Sequence, residues 1–196
     1  MAAWAEATEV ADVFPNAGGI GVRRPGVGTA IRLSGIVDQS IVDGPGLRLT
    51  VFTQGCPHHC PGCHNPGTHA FGEGFGAEAA EILARFDDNP LLAGITLSGG
   101  EPLVQAEALL PLARQIGSRG KTVWCYTGYT FEEALAAARG NPSLAALLRH
   151  IDVLVDGRYE AARRSLILRY RGSANQRVLD LPASLAAGEA VPWRLR

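Results

Sequence analysis

Three of the four cysteines of this 196-residue chain lie within eight positions of one another, among histidines, glycines and prolines. They are Cys56, Cys60 and Cys63, a C-x3-C-x2-C pattern inside the segment GCPHHCPGCHNPGTH (55–69). Thiolates are ligands of iron–sulfur clusters and of zinc. The prolines and glycines favour a turning, non-helical path on which the three sulfurs can converge. The segment therefore predicts a metal centre with only three local protein ligands.

Two other chemistries compete with an iron–sulfur cluster at these cysteines. A structural zinc site would add His58, His59 or His64 as its fourth ligand and would make the chain a zinc-stapled binding module without turnover. Structural zinc sites usually pair two separated cysteine knuckles, and no second knuckle is present. Redox-active thiols are the third alternative, and the spacing favours the iron–sulfur cluster over both. Cys125, in an apolar segment, is predicted to be a small buried hydrophobe rather than a fourth ligand.

Composition and charge narrow the class of protein. At 20.7 kDa, with 46% hydrophobic residues, the chain has the length and apolar content of one globular domain. Its formal net charge of −1 gives no electrostatic argument for binding nucleic acid or an anionic membrane. No apolar run approaches the roughly 18–20 residues of a membrane-spanning helix. No signal peptide is recognisable at residues 1–14, so we expect the cysteine cluster in the reducing cytoplasm.

Strand and helix patterns alternate along most of the chain. Residues 1–30 are rich in Gly, Ala and Pro and are predicted to be a flexible N-terminal extension, and residues 31–196 a single domain. Strands are predicted at 47–54, 94–98, 121–128, 151–157 and 166–170. Helices are predicted at 77–86, 104–120, 130–140 and 142–149. Thr130 and Glu133 predict a capping box at the start of the third helix.

This alternation predicts parallel βα units in an α/β fold. The chain is too short for a full eight-fold barrel of roughly 250 residues, which leaves an open, partial βα barrel or a doubly wound sheet. In both folds, ligands bind at the carboxyl ends of the parallel strands. Three motifs follow such ends: the cysteine loop, SGGEP (98–102) and YTGY (126–129). We therefore expect these motifs to meet in one site.

Several segments together resemble the radical S-adenosylmethionine superfamily, which combines C-x3-C-x2-C after one strand with Gly-Gly-Glu-Pro after the next. The resemblance is to the activating proteins of glycyl radical enzymes, and most to those of anaerobic (class III) ribonucleoside-triphosphate reductases. It spans about residues 31–181. It is carried by VDGPGLRLTVFTQGCPHHCPGCHNP (42–66), TLSGGEPL (96–103), KTVWCYTGYTFEE (121–133), IDVLVDGRY (151–159) and RYRGSANQRVLD (169–180).

The resemblance implies a fold, a cofactor and a reaction. The fold is a radical S-adenosylmethionine core, an open partial βα barrel of about five to six parallel strands. Cys56, Cys60 and Cys63 would hold one 4Fe–4S cluster at three irons, and the fourth iron would bind S-adenosylmethionine. Reductive cleavage of that molecule gives a 5′-deoxyadenosyl radical, which generates a glycyl radical on the large reductase. A low-potential donor such as flavodoxin or ferredoxin would supply the electron.

The resemblance also assigns contacts to S-adenosylmethionine. The residues are Gly62, Cys63, His64, Gly99, Gly100, Glu101 and Asp156. The two glycines after the second predicted strand permit close backbone approach, and Glu101 can accept a hydrogen bond from the ammonium group. Asp156 is expected at the ribose or the sulfonium. Many superfamily members have an aromatic residue where this chain has Gly62, which departs from the pattern on the adenine side.

Alternative targets share the same chemistry. The chain could activate another glycyl radical enzyme, such as pyruvate formate-lyase, or act on a small molecule as a radical S-adenosylmethionine enzyme. The segment GSANQR (172–177) favours the reductase. The arginine-rich tract 158–177 is interpreted as either a solvated face or a dock for the partner. His58 and His59 are expected on the loop surface.

Overall fold

A seven-stranded mixed sheet organises residues 30–195, the part of the chain that the computed structural model describes. The strands are β1 (Ile31–Ser40), β2 (Leu47–Thr53), β3 (Phe75–Ala77), β4 (Leu92–Gly99), β5 (Thr122–Tyr126), β6 (Val153–Asp156) and β7 (Arg177–Asp180). Their order in the sheet is β3-β1-β2-β4-β5-β6-β7. The helices are α1 (Ala79–Asp87), α2 (Ala106–Ser118), α3 (Phe131–Ala138), α4 (Pro142–Leu148) and α5 (Leu181–Ala187). The predicted extension, 1–30, lies outside the described residues except for its last position.

The centre of the sheet confirms the predicted α/β fold with parallel βα units. Strands β2, β4, β5 and β6 run parallel, and helices connect β4 to β5 and β5 to β6. The prediction of five to six parallel strands was wrong, because β1, β3 and β7 pair antiparallel with their neighbours. Only residues 41–46 separate β1 from β2, too few for the crossover that a parallel pair requires.

The strand predictions missed three strands, β1, β3 and β7, and included one that the structure does not have. The structure has a ten-residue strand at β1, where none was predicted. The predicted strand at 166–170 is absent, and Leu166 and Ile167 are instead 86% and 91% exposed in a loop. The final strand of the sheet, β7, begins only at Arg177.

Helices and strands share one large core on one face of the sheet. In α2 the buried residues Leu109, Leu112 and Ile116 recur at helical spacing and face this core. Cys125 lies in the same core with no exposed surface, which confirms its predicted burial, and burial raises the pKa of its thiol. No helix among residues 30–195 is long and apolar enough to cross a membrane.

The start of α3 confirms the predicted capping box. The Thr130 hydroxyl accepts a hydrogen bond from the Glu133 backbone N–H at 3.2 Å, and the Glu133 carboxylate accepts one from the Thr130 N–H at 2.9 Å. These two bonds satisfy amide groups that a helix start otherwise leaves without partners. They fix the point at which the chain leaves β5 and its YTGY motif.

Candidate functional site

A cavity of about 420 Å³ opens at the carboxyl ends of the parallel strands. The three motifs predicted to meet all contribute to its lining, which confirms that expectation. The lining residues from these motifs are Cys56, His58, Cys60, Cys63, His64, Asn65, His69, Ser98, Gly99, Gly100, Tyr126, Thr127 and Gly128. Further lining residues come from the segment before β2 and from the loop between β6 and β7, and include Asp43, Tyr159, Gly172 and Gln176. The geometry is that of a ligand site at the strand ends of an α/β sheet.

Backbone hydrogen bonds shape the cysteine loop into a turning path. The Gly55 N–H donates to the Thr68 carbonyl at 2.8 Å, and the Cys63 N–H donates to the Cys60 carbonyl at 3.1 Å. The Asn65 N–H reaches the Cys63 sulfur at 3.4 Å, a bond of the kind that stabilises a thiolate ligand. The predicted non-helical path is therefore confirmed for residues 55–65, and one turn of 3-10 helix follows at Pro66–Thr68.

The thiols of this loop fit an iron–sulfur cluster in donor type, and they share one cavity. All four described cysteines are free, and Cys56, Cys60 and Cys63 line the same cavity. Burial raises the pKa of Cys56 to about 11, so its thiolate needs a nearby positive centre such as iron. His69 also lines the cavity, and its buried Nε2 has no hydrogen-bond partner. No three His, Cys, Asp or Glu side chains within 30–195 are grouped for a single metal ion.

Two glycines bring the end of β4 against the cysteine loop. A Cβ on Gly100 would lie 2.4 Å from the Gly55 carbonyl oxygen, and a Cβ on Gly99 would lie 2.6 Å from the Thr53 nitrogen. Gly99 also has a φ of +95°, which favours glycine. The Glu101 N–H donates to the Gly55 carbonyl at 2.8 Å. Because no side chain fits here, this wall of the cavity is bare backbone.

The Glu101 carboxylate is completely buried and does not line the cavity. It accepts hydrogen bonds from His58 Nε2, the Thr127 hydroxyl and the Gly128 N–H, each at 2.8 Å. The Leu103 N–H adds a fourth at 3.0 Å. Both carboxylate oxygens are thus occupied by groups of the chain itself, and Glu101 ties the cysteine loop to the end of β5. Its contact with an ammonium group stays a prediction.

His58 was expected on the loop surface, and that expectation was wrong. Its side chain is only 5% exposed, and its ring packs edge-on against Tyr129 with centroids 4.5 Å apart. The space it fills is next to Gly128, where a Cβ would lie 2.2 Å from the imidazole. His59, its neighbour, is exposed as expected. The local sequence does not show which of the two adjacent histidines is buried, because this depends on where the fold places Glu101.

Asp156 lies beside the cavity rather than in its lining. Its carboxylate is buried, accepts a hydrogen bond from the Phe131 N–H at 2.7 Å, and pairs with Arg177. Arg177 also binds Glu132 at 2.8 Å, and its hydrogen bond lowers the pKa of Glu132 to about 2. Asp156 therefore joins β6, β7 and the start of α3. Its predicted contact with the ribose or sulfonium stays a prediction.

Of two residues predicted to contact the adenine side of S-adenosylmethionine, one lines the cavity and the other does not. His64 lines the cavity, and its ring lies 4.6 Å from that of Tyr159. Gly62 is exposed at a φ of +72° and is not among the lining residues. The Tyr159 ring and Gly172, both in the lining, were not singled out from the sequence. Their positions depend on how the loop after β6 folds back, which no local motif encodes.

The fold and the cysteine-lined cavity define a protein of the single-cluster iron–sulfur class. Residues 42–179 match the family model described as "4Fe-4S single cluster domain", which covers more than half of the chain. A solved structure, that of QueE from Escherichia coli, is 18% identical over 52% of this chain and 54% of that chain, with a TM-score of 0.43.

Curated relatives narrow the class to one family. The anaerobic ribonucleoside-triphosphate reductase-activating protein of Vibrio cholerae is 38% identical, over 69% of this chain and 89% of that protein. The protein of the same name from Escherichia coli is 38% identical over 72% and 93%, and that of phage T4 is 34% identical over 70% and 86%. The chain belongs to the family of anaerobic ribonucleoside-triphosphate reductase-activating proteins, which confirms the resemblance identified in the sequence.

Proposed function

We propose that this chain is a radical S-adenosylmethionine enzyme that generates a glycyl radical on an anaerobic ribonucleoside-triphosphate reductase. The observation that carries the proposal is the convergence of the cysteine loop, the Gly-Gly-Glu segment and YTGY on one cavity. This convergence falls within the span that matches the reductase-activating relatives. The substrate is then a protein segment, and the open cavity at the strand ends gives it access.

Cys56, Cys60 and Cys63 would hold a 4Fe–4S cluster, with S-adenosylmethionine beside it. When bound and reduced, such a cluster would supply the electron for reductive cleavage of S-adenosylmethionine, the chemistry needed to take a hydrogen atom from the target glycine. The buried position of Cys56 would keep water from its side of such a cluster. Gly99 and Gly100 leave the facing wall free of side chains, which gives the methionine end of S-adenosylmethionine room beside the backbone.

The proposal also includes an electron donor, a cellular location and the type of barrel. A flavodoxin or ferredoxin is the proposed electron donor, because a thiolate-bound cluster in a sheltered cavity has a low reduction potential. The free cysteines need a reducing compartment, which supports the cytoplasm as its location. The four parallel strands with the cavity at their carboxyl ends are compatible with an open partial barrel.

Anaerobic reconstitution of single cysteine variants tests the proposal. Wild type and Cys125→Ala, the buried control, should bind about four irons per chain and release 5′-deoxyadenosine with dithionite. Cys56→Ala, Cys60→Ala and Cys63→Ala should each lose the cluster and this activity. Electron paramagnetic resonance of the reductase after mixing should show a glycyl doublet. One zinc and no iron in wild type would refute the proposal, and a doublet only on pyruvate formate-lyase would change the target.

A further inference from the structure

A loop after β6 rises from the rim of the cavity. Its base is closed by a hydrogen bond from the Ser165 N–H to the Gly172 carbonyl at 3.3 Å, and by an antiparallel bridge between Arg164 and Ser173. Gly172 lines the cavity. We call residues 164–172 the rim loop. Its base is therefore part of the cavity wall.

The rim loop presents two aliphatic side chains to water from a firm support. Leu166 and Ile167 are 86% and 91% exposed, more than any other large hydrophobic residue in 30–195. Three positions further on, the Tyr170 ring packs edge-on against Trp124, with centroids 5.2 Å apart. Because the rim loop is held at its base and at Tyr170, its fold itself keeps the side chains of Leu166 and Ile167 exposed. Contiguous exposed apolar surface is a feature of interaction sites.

A second exposed aliphatic pair borders the same cavity. Ile41 and Val42, between β1 and β2, are 76% and 70% exposed, and Val42 contributes to the cavity lining. Both pairs thus belong to segments that contribute a residue to the lining of one cavity, Val42 in one case and Gly172 in the other. Exposed aliphatic residues scattered singly over a surface need no explanation, but adjacent pairs on two segments that both contribute to one cavity do.

The arginine side chains in and beside the rim loop indicate which charge a binding partner would carry. Six arginines lie between positions 158 and 177, and four of them have partners. These pairs are Arg158 with Glu133, Arg163 with Glu160, Arg171 with the Gln176 carbonyl, and Arg177 with Asp156 and Glu132. The side chains of Arg164 and Arg169 are exposed and have no hydrogen bond or ion pair with any residue in 30–195. These two cations bracket Leu166 and Ile167.

We propose that the rim loop and Ile41–Val42 dock the protein substrate through an apolar segment that carries Asp or Glu on its flanks. The inference rests on the proposed function, in which a protein segment must reach the cavity. Apolar side chains of that segment would cover the two exposed pairs, and its carboxylates would pair with Arg164 and Arg169. A protein is favoured over a lipid surface because both segments contribute to the wall of the cavity that the protein substrate must reach.

Two rim variants with matched controls test the proposal on the full-length, cluster-loaded protein. They are Leu166→Ser with Ile167→Ser, and Arg164→Glu with Arg169→Glu. The controls are Leu91→Ser, 78% exposed before β4, and Arg149→Glu, exposed at the end of α4. Both control positions lie toward the amino ends of the parallel strands, away from the cavity.

Three measurements separate docking from the proposed function. Iron content and dithionite-driven release of 5′-deoxyadenosine without reductase should equal wild type in all variants. The reductase concentration that half-saturates glycyl radical formation should rise about tenfold or more in both rim variants and stay unchanged in both controls. For the arginine variant, the difference from wild type should shrink at high salt, since screening weakens the pairs that it removes.

Several results would overturn the docking proposal while leaving the proposed function intact. One is wild-type half-saturation in both rim variants. Another is an unchanged half-saturation together with lost binding to phosphatidylserine–phosphatidylcholine vesicles, which would assign the loop to a membrane surface. A third is an unchanged half-saturation with a wild-type dimer that the rim variants dissociate in sedimentation. By contrast, a wild type without iron or without 5′-deoxyadenosine release would refute the proposed function itself.

Discussion

The hydrogen bond between His58 and Glu101 yields the sharpest prediction for the cysteine loop. His58 Nε2 and Glu101 Oε2 lie 2.8 Å apart, and the two side chains are 5% and 0% exposed. The bond connects the loop of the three cysteines to the carboxylate that also holds the end of β5. Substitution His58→Ala removes this tie and leaves the cysteines unchanged.

The expected cost follows from the burial of the two groups. A buried hydrogen bond to a carboxylate contributes about 1.5–3 kcal/mol. Removing one partner of an isolated buried ion pair costs about 3–5 kcal/mol, because the other group is left without compensation. Glu101 keeps Leu103, Thr127 and Gly128 as donors, so the lower range applies. We therefore expect His58→Ala to lower the free energy of unfolding by about 1.5–3 kcal/mol.

Thermal unfolding of the metal-free, reduced protein measures this loss directly. For a chain of this size about 1 kcal/mol corresponds to about 2–4 °C, so Tm should fall by about 3–12 °C. His58→Gln keeps an N–H donor at similar reach and should recover much of the loss. His59→Asn is the control, because His59 is exposed at a φ of +46° that asparagine tolerates, and it should change stability by less than about 0.5 kcal/mol.

Two outcomes would refute this reasoning. If His58→Ala unfolds at the wild-type temperature, the bond to Glu101 does not stabilise the loop. If His58→Gln loses as much as His58→Ala, the ring packing against Tyr129 rather than the hydrogen bond holds His58 in place. In either case Glu101 would not be the residue that fixes the cysteine loop.

Two further predictions concern a glycine and the cysteine thiols. Gly100→Ala would place its Cβ 2.4 Å from the Gly55 carbonyl oxygen and should lower the free energy of unfolding, measured in urea, by about 1–3 kcal/mol. The control Gly117→Ala, in α2 with nothing within 4 Å of the added Cβ, should leave this free energy unchanged or raise it. Equal effects of the two substitutions would contradict the clash at Gly100. Burial raises the pKa of Cys56 from 9.0 to about 11, so iodoacetamide at pH 8 should alkylate this thiol about 100-fold more slowly than an unperturbed thiol. Cys125 should stay unreactive until the protein unfolds. Mass spectrometry measures both rates. Between pH 9 and 11 the unfolded chain loses the Cys56 proton first, so the free energy of unfolding of the metal-free protein should fall as pH rises.

Features encoded over a few residues could be predicted from the sequence. The C-x3-C-x2-C spacing, the two glycines after β4 and the pairing of Thr130 with Glu133 depend on neighbours in the chain. The parallel βα topology then determines where these motifs lie, because it brings the loops after β2, β4 and β5 to one edge of the sheet. The meeting of the three motifs at one cavity therefore followed from local patterns plus topology.

Features that depend on distant partners were missed. Strand β1 shows little alternation, since its second half is mostly exposed, and it forms by pairing with β2 and β3. Its partners could not be inferred from its own residues. His58 is buried only because Glu101, more than forty positions away, accepts its hydrogen bond. Both cases are tertiary interactions that no short window of sequence contains.

The wrong strand prediction at 166–170 has a different physical origin. An apolar run with an isoleucine satisfies the local preference for a strand, and such runs are normally covered by the rest of the fold. Here Leu166 and Ile167 stay uncovered, while Tyr170 in the same run is packed against Trp124. Conflicts between local preference and the observed structure concentrate at functional sites. The failed prediction therefore supports the rim loop as a docking surface, since an apolar pair that the chain does not bury itself is available for a partner to bury.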